Sequence, residues 1–380
     1  MFDIRGLLDI LDTKILTEGS SIQHPEDLVI TNSVTGANNA LNSIIKAGKN
    51  PQSITMKWDG YPAIIFGRGP NGKFILVDKH MFAKKDGSGR KIYSPADFKK
   101  YDEQRGVDRG NLYSVIEKIW KPLEKATKGI DGFFWGDLLF SDVLQDTKGL
   151  YKFKANPNGI TYTVNANSDL GKYIKDKIAG IAVHQTIPMN AIDLSNSVAV
   201  SDQTLENLGK QSQIAFLSSK LPIVPKIDLN KQLINDVKQN IAKYGKNVEK
   251  LLTTLPQARS SFDSLLTSYI NKKIVSGNLN NLASDFLTYF ESRPMSSSMK
   301  QKLSDHLNSN KDGVVGLFSI WASIYKLKQD LINQINTQFA QSPVQGYLDS
   351  GQQSQEGFIS NNLKYIDRLG FSKQLLSARK

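Results

Sequence analysis

At 380 residues and 39% hydrophobic, the chain can bury the core of one large domain or two ordinary ones. The absence of cysteine excludes disulfides, thiolate nucleophiles and cysteine-ligated zinc, and the four histidines (His24, His80, His184, His306) are scattered rather than set at metal-ligand spacing. A net charge of +12 creates an attractive field for polyanions, of which nucleic acid is the commonest, and no apolar run reaches the length of about 18 residues that a membrane span requires.

The N-terminal "MFDIRGLLDI" carries acids where a secretory signal would carry a basic flank, so a cytoplasmic protein is expected. Helical spacing of apolar residues follows at about 33–47 and 111–125. Between and after these, short runs rich in Ile, Val, Phe and Tyr alternate with Gly, Asn, Asp and Pro: "AIIFGRGPNGKFILVDKH", "GIDGFFWGDLLF", "GLYKFKANPNGITYTV" and "KIAGIAVHQTI". They read as strands, and "GRGPNG" (67–72) as a turn between two of them, because Pro fixes φ and Asn-Gly accepts positive φ.

From about 229 to 340 the apolar period changes to 3.6, giving four to six helices separated by Gly, Ser, Asn and Pro clusters. "KLPIVPKIDL" (220–229) reads as the linker leading into this region and "QSPVQGYLDSGQQSQ" (341–355) as the one leading out. "QEGFISNNLKYIDRLGFS" (355–372) then returns to strand-like runs around a turn. The expected organisation is an α+β domain (1–225), an inserted all-α domain (226–345) and final strands (346–380) that return to the first domain's sheet.

One stretch carries chemistry. "KWDG" (57–60) sets an amine beside an Asp-Gly turn, where glycine lets a ligand approach closely, although such a pattern alone is most often a surface turn. "GRGPNGK" lacks the G-K-[ST] of a phosphate-binding loop and stands between strands, so that reading is discarded.

Taken in order, the segments resemble the signatures of the covalent nucleotidyltransferases: ATP-dependent DNA ligases, RNA ligases and mRNA-capping guanylyltransferases. "KWDG" resembles their first motif, "DGFFWGDLLF" their third, "GIAVHQTI" the following strand, "QEGFI" the fourth and "LKYIDR" the fifth. The resemblance implies a ligase adenylation-domain-like fold of antiparallel sheets with an inserted helical domain. It implies that Lys57 is the nucleophile, with Lys364 assisting, and that the nucleotide is held by Asp59, Gly60, Arg68, Lys79, Asp137, His184, Glu356, Lys364 and Arg368. His184 would stack on the base, and Glu356 and Asp137 would organise Mg²⁺. Lys364, Arg368 and Lys79 would lower the pKa of Lys57 and neutralise the triphosphate of ATP.

Pro62 stands where those enzymes usually place an arginine, which leaves Arg68 or Lys79 for the ribose and phosphates. The sequence ends shortly after Arg368, with no OB-fold following, and this with the helical insertion favours RNA ends. The implied activity is an ATP-dependent RNA ligase joining 5′-phosphate and 3′-hydroxyl ends. Alternatives are a DNA ligase, a GTP-dependent capping enzyme, or a non-catalytic nucleic-acid-binding or virion protein. A monomer bound to nucleic acid and to no membrane is expected. The same segments are also similar to an uncharacterised family of large tailed phages, which would make the compartment the host cytoplasm.

Overall fold

The computed structural model describes residues 22–155, 159–210, 212–255, 259–353 and 355–372, so the N-terminal decapeptide read above lies outside the described residues. In chain order, helix α1 (Leu28–Lys49) and strand β1 (Thr55–Lys57) precede strands β2 (Ala63–Arg68) and β3 (Phe74–Asp78). Helices α2 (Lys79–Phe82), α3 (Pro95–Gln104) and α4 (Leu112–Ala126) follow, then strands β4 (Gly132–Phe140), β5 (Leu150–Lys154) and β6 (Ile160–Asn165). Helix α5 (Asp169–Ile174), strands β7 (Ala179–Ile187) and β8 (Val198–Ala199), helix α6 (Asp202–Gly209) and strand β9 (Ile214–Leu217) come next. Helices α7 (Lys231–Thr253), α8 (Arg259–Ser276), α9 (Leu282–Glu291), α10 (Ser297–Ser309) and α11 (Lys311–Phe339) precede strands β10 (Val344–Leu348), β11 (Gly357–Ser360) and β12 (Leu363–Tyr365). The protein is thus mixed α+β with several sheets.

It divides into two units. The sheet unit comprises Met56–Pro222 and Ala340–Glu356, and the helical unit comprises Met1–Thr55, Ile223–Phe339 and Gly357–Lys380.

In the sheet unit the larger sheet has the order β3-β2-β4-β7-β8, with β9 parallel to the first half of β7. The β2–β3 connection turns where "GPNG" lies: Gly72 N–H donates to Gly69 O at 2.9 Å, and Gly72 takes the positive φ of 70° that Asn-Gly turns favour. Register then sets the two ends of the sheet. Ala63 lies opposite Asp137 and Ile64 opposite Asp78, whereas Arg68 lies opposite Gly132 at the other end. One face buries Phe66 against Phe134 and Phe216, with ring centroids 5.5 and 5.9 Å apart. Helix α4 is buried through Ile116, Ile119 and Leu123, spaced to share one helical face. Removing each such side chain from water stabilises the fold by about 1.5–3 kcal/mol.

The smaller sheet runs β10-β6-β5, all antiparallel. Its central strand alternates strictly: Ile160, Tyr162 and Val164 are buried while Thr161 and Thr163 are half-exposed. Strand β10 occupies a segment the sequence assigns to a linker, because five residues between Pro343 and a Ser-Gly turn give too little alternation to register as a strand.

The helical unit contains more of the chain than the sequence pattern indicates. Helix α1 belongs to it, interrupted at Asn32 and Ser33, where Ser33 takes φ 53° and its hydroxyl donates to Glu249 at 2.6 Å. The strands β11 and β12 belong to it too, rather than returning to the larger sheet. They form a hairpin closed by Asn361 and Asn362, both at positive φ, and Phe358 packs on Phe339 at 6.2 Å. What ties these segments to the helices is ionic as well as apolar: Arg368 pairs with Asp27 at 3.0 Å and Lys328 with Glu26 at 2.5 Å.

Candidate active site

The candidate site lies within the sheet unit and is built from the K-x-D-G segment outward. Met56 N–H donates to Ser219 O at 2.6 Å and the Trp58 indole N–H to Ser218 O at 3.1 Å, which fixes the chain on either side of Lys57. Trp58 is buried against Tyr162, ring centroids 4.9 Å apart, and Tyr162 is followed by Phe153 at 5.5 Å. Asp59 faces the start of β6. Its N–H donates to the Tyr162 hydroxyl at 2.7 Å, and its Oδ2 accepts from Gly159 and Ile160 N–H at 3.1 and 3.2 Å.

Gly60 is required by close approach, since a Cβ there would stand 2.5 Å from Asp137 Cβ. A cis peptide joins Tyr61 to Pro62, and Tyr61 N–H donates to Leu138 O at 2.8 Å while Leu138 N–H donates to Pro62 O at 3.1 Å. These bonds hold Asp137 beside the Asp-Gly turn.

The Lys57 amine donates to Glu356 Oε1, joining residues 299 apart in the chain. The Lys57 side chain keeps 31% exposure and Glu356 only 11%, so a ligand can reach the amine while the carboxylate is largely shielded. Glu356 Oε2 is buried with no hydrogen-bond partner among the described residues. Asp137 Oδ2 pairs with His184 Nε2 at 2.8 Å, and His184 Nδ1 lies 3.3 Å from Ser219 Oγ.

The electrostatics differ from the sequence expectation. Burial presses the Lys57 amine towards neutrality, but Glu356, then Asp137 and Asp59, outweigh it and hold its pKa above the ordinary lysine value. The expected lowering by Lys364, Arg368 and Lys79 is not what surrounds this amine; carboxylates do. Burial pushes Glu356 up to about 7, with Lys57 opposing the rise. Asp59 is also raised by burial, against the pull of Lys57 and two backbone N–H groups. The protein therefore holds a lysine ammonium with a carboxyl group poised to share its proton.

The remaining assigned residues are distributed as follows. Arg68 sits at the far end of β2, where its guanidinium donates to Gly72 O and Glu124 O, both at 2.9 Å. Lys79 begins α2 at the Ala63–Asp137 end of the sheet and lies 5.0 Å over the Trp135 ring, two residues from Asp137 on β4. Lys364, on β12 of the helical unit, has its backbone N–H bonded to Gln23 O at 3.0 Å. Arg368 is also in the helical unit, engaged by Glu26, Asp27 and, at 2.7 Å, Asn271. Among the described residues no group of three or more His, Cys, Asp or Glu side chains is arranged to hold a metal.

Tyr162 and Ser219 are the members sequence reasoning missed. Inward alternation in "ITYTV" marks Tyr162 as buried but not as a partner of Asp59, and nothing local marks Ser219. Tyr162→Phe leaves the buried Asp59 N–H without its acceptor and is expected to destabilise the protein by about 1–3 kcal/mol. Urea unfolding followed by circular dichroism checks this, and an unchanged midpoint would contradict the assigned role.

Residues 20–380 match a family of unknown function (DUF6267), and the chain belongs to that family. No curated protein and no solved structure matches it.

Proposed function

We propose that the sheet unit is a covalent nucleotidyltransferase of the ligase adenylation-domain kind and that Lys57 is its nucleophile. The supporting observation is the meeting of Lys57 and Glu356 across 299 residues, beside Asp59 and Asp137, in a half-open setting. The substrate is a nucleoside triphosphate, ATP by resemblance. Lys57 Nζ attacks the α-phosphorus; the N–P bond forms as the P–O bond to pyrophosphate breaks. The ammonium proton goes to Glu356, which already accepts the hydrogen bond and whose raised pKa makes it a better base than an ordinary carboxylate. Entry of the triphosphate displaces the Lys57–Glu356 pair, and Lys79 is the assigned cation at that end of the sheet that supports its charge.

A divalent ion fits one feature of this setting. Mg²⁺ is held by one or two carboxylates together with substrate phosphates and waters, and the buried, unpartnered Glu356 Oε2 is such an oxygen, with Asp137 as the second. Bound there, it would offset charge developing on the phosphate oxygens. Downstream, the nucleotide passes to a 5′-phosphate end and a 3′-hydroxyl displaces it, sealing a polynucleotide, RNA in the first instance. The net charge of +12 suits such a partner.

Incubating the protein with α-labelled ATP or GTP and Mg²⁺, followed by a denaturing gel, tests the reading. A label carried by the wild type and abolished in Lys57→Ala is expected. No label from either nucleotide would replace the reading with that of a non-catalytic nucleic-acid-binding protein.

A further inference from the structure

The Asp137–His184–Ser219 chain has a direction. Asp137 presents a carboxylate, which only accepts, so the His184 Nε2 at 2.8 Å carries the hydrogen. In the neutral imidazole this leaves Nδ1 as a lone pair, and Nδ1 accepts the hydroxyl proton of Ser219 at 3.3 Å. With that proton spent on His184, the oxygen of Ser219 can offer a ligand only its lone pairs. A serine otherwise reads donors and acceptors alike; this one is fixed as an acceptor.

Its place in the fold decides what it can meet. Ser219 follows β9, which runs parallel to β7, the strand of His184, and this adjacency brings the two side chains together. Ser219 O is bonded to the N–H of Met56, the residue before Lys57, so Ser219 stands at the root of the lysine side chain. All three side chains remain half-exposed. A nucleotide whose α-phosphorus meets the tip of Lys57 has a ribose between that phosphorus and its base. The ribose is comparable in length to the lysine stem, which brings the base to the stem's root.

We propose that Ser219 selects the purine at the Lys57 site, accepting a hydrogen bond from the exocyclic 6-amino group of adenine and rejecting the 6-keto oxygen of guanine. Asp137 and His184 act as positioning residues that hold Ser219 in its accepting state. This rests on the nucleotidyl-transfer reading above, and it goes beyond it by naming the group that discriminates.

The test compares initial rates of covalent labelling at pH 8 with ATP, GTP and purine riboside triphosphate, which lacks the 6-amino group. The wild type is expected to prefer ATP over both by on the order of tenfold, the value of one hydrogen bond that leaves a polar group unpaired when missing. Ser219→Ala should bring the ATP-to-GTP ratio close to one, and Ser219→Thr, which keeps the hydroxyl, should restore it. Asp137→Asn offers a direct probe of the tautomer. An amide donating to Nε2 places the hydrogen on Nδ1, turns the Ser219 hydroxyl towards the ligand as a donor, and is expected to move the ratio in favour of GTP.

Equal labelling of the wild type by ATP and purine riboside triphosphate would overturn the inference without any variant having to fold. An ATP-to-GTP ratio unchanged in Ser219→Ala would overturn it as well. Absence of label with every nucleotide would instead remove the reading on which it rests.

Discussion

Glu356→Gln is expected to slow formation of the lysyl-nucleotide about 10²–10³-fold, the range usual for loss of a general base. The carboxamide is nearly isosteric and still accepts a hydrogen bond from Lys57, so the amine stays in place; what it cannot do is take the proton. Because burial holds Glu356 at about 7, the wild-type rate should rise with pH through that value as the carboxylate becomes available. In the variant the inflection should move up towards the titration of Lys57 itself, whose pKa lies above the ordinary lysine value. Single-turnover labelling with α-labelled ATP from pH 5.5 to 9 measures both effects. A variant with the wild-type rate and profile would remove Glu356 from the chemistry.

The same carboxyl group gives stability a sign. Its folded pKa of about 7 exceeds the model value of 4.5, so between those values the folded state binds more protons than the unfolded chain. Stability from this group is complete below about 4.5 and falls as pH rises to about 7. Lys57 acts in a separate window: its raised pKa contributes stability that is lost only as pH rises through the raised value. The Gln variant should therefore show a flatter dependence of melting temperature on pH between 5 and 8 than the wild type.

How much of this was legible in the sequence depended on the range of the interactions. Strands β2, β3, β4 and β7 announce themselves through local runs of Ile, Val, Phe and Ala, and the Pro-Asn-Gly turn through its own backbone preferences. The K-x-D-G and acidic-Gly segments are short enough to be recognised singly and far enough apart that only their order suggested a common site. Ser219 and Tyr162 are ordinary residue types whose roles come from what the sheets bring beside them. The pKa of Lys57 was expected to fall because cations were assigned around it. It rises because the assigned carboxylates are the groups within reach, and Arg368 is committed to Asp27. The unit membership of 357–372 was equally hidden. It follows from a pairing 341 residues apart, between Arg368 and Asp27, which no local pattern encodes.

Removing Glu26 should cost the helical unit about 3–5 kcal/mol, the range for breaking a buried ion pair from one side. Glu26 and Lys328 are both fully buried, and Arg368 nearly so, with Lys328 Nζ 2.5 Å from Glu26 Oε1. Asp27 completes the cluster, accepting from Arg368 at 3.0 Å and from the Trp321 indole at 2.9 Å. Lys328 lies over the Tyr325 ring at 4.6 Å. Burial already lowers the pKa of Lys328, Arg368 lowers it further, and Glu26 opposes them. Glu26→Ala deletes that opposing charge and leaves an ammonium with no carboxylate in its own hydrogen-bond shell. A lysine whose folded pKa is depressed binds fewer protons folded than unfolded, so the variant's stability should recover as pH rises from 7 towards the ordinary lysine value. Replacing both partners, Glu26→Leu with Lys328→Met, should recover most of the loss at neutral pH, because two apolar side chains need no desolvation of charge. Denaturant unfolding of the two single variants and the double variant provides the cycle. If the three losses simply add, the pair is not coupled and the cluster does not hold α11 to the segment around Glu26.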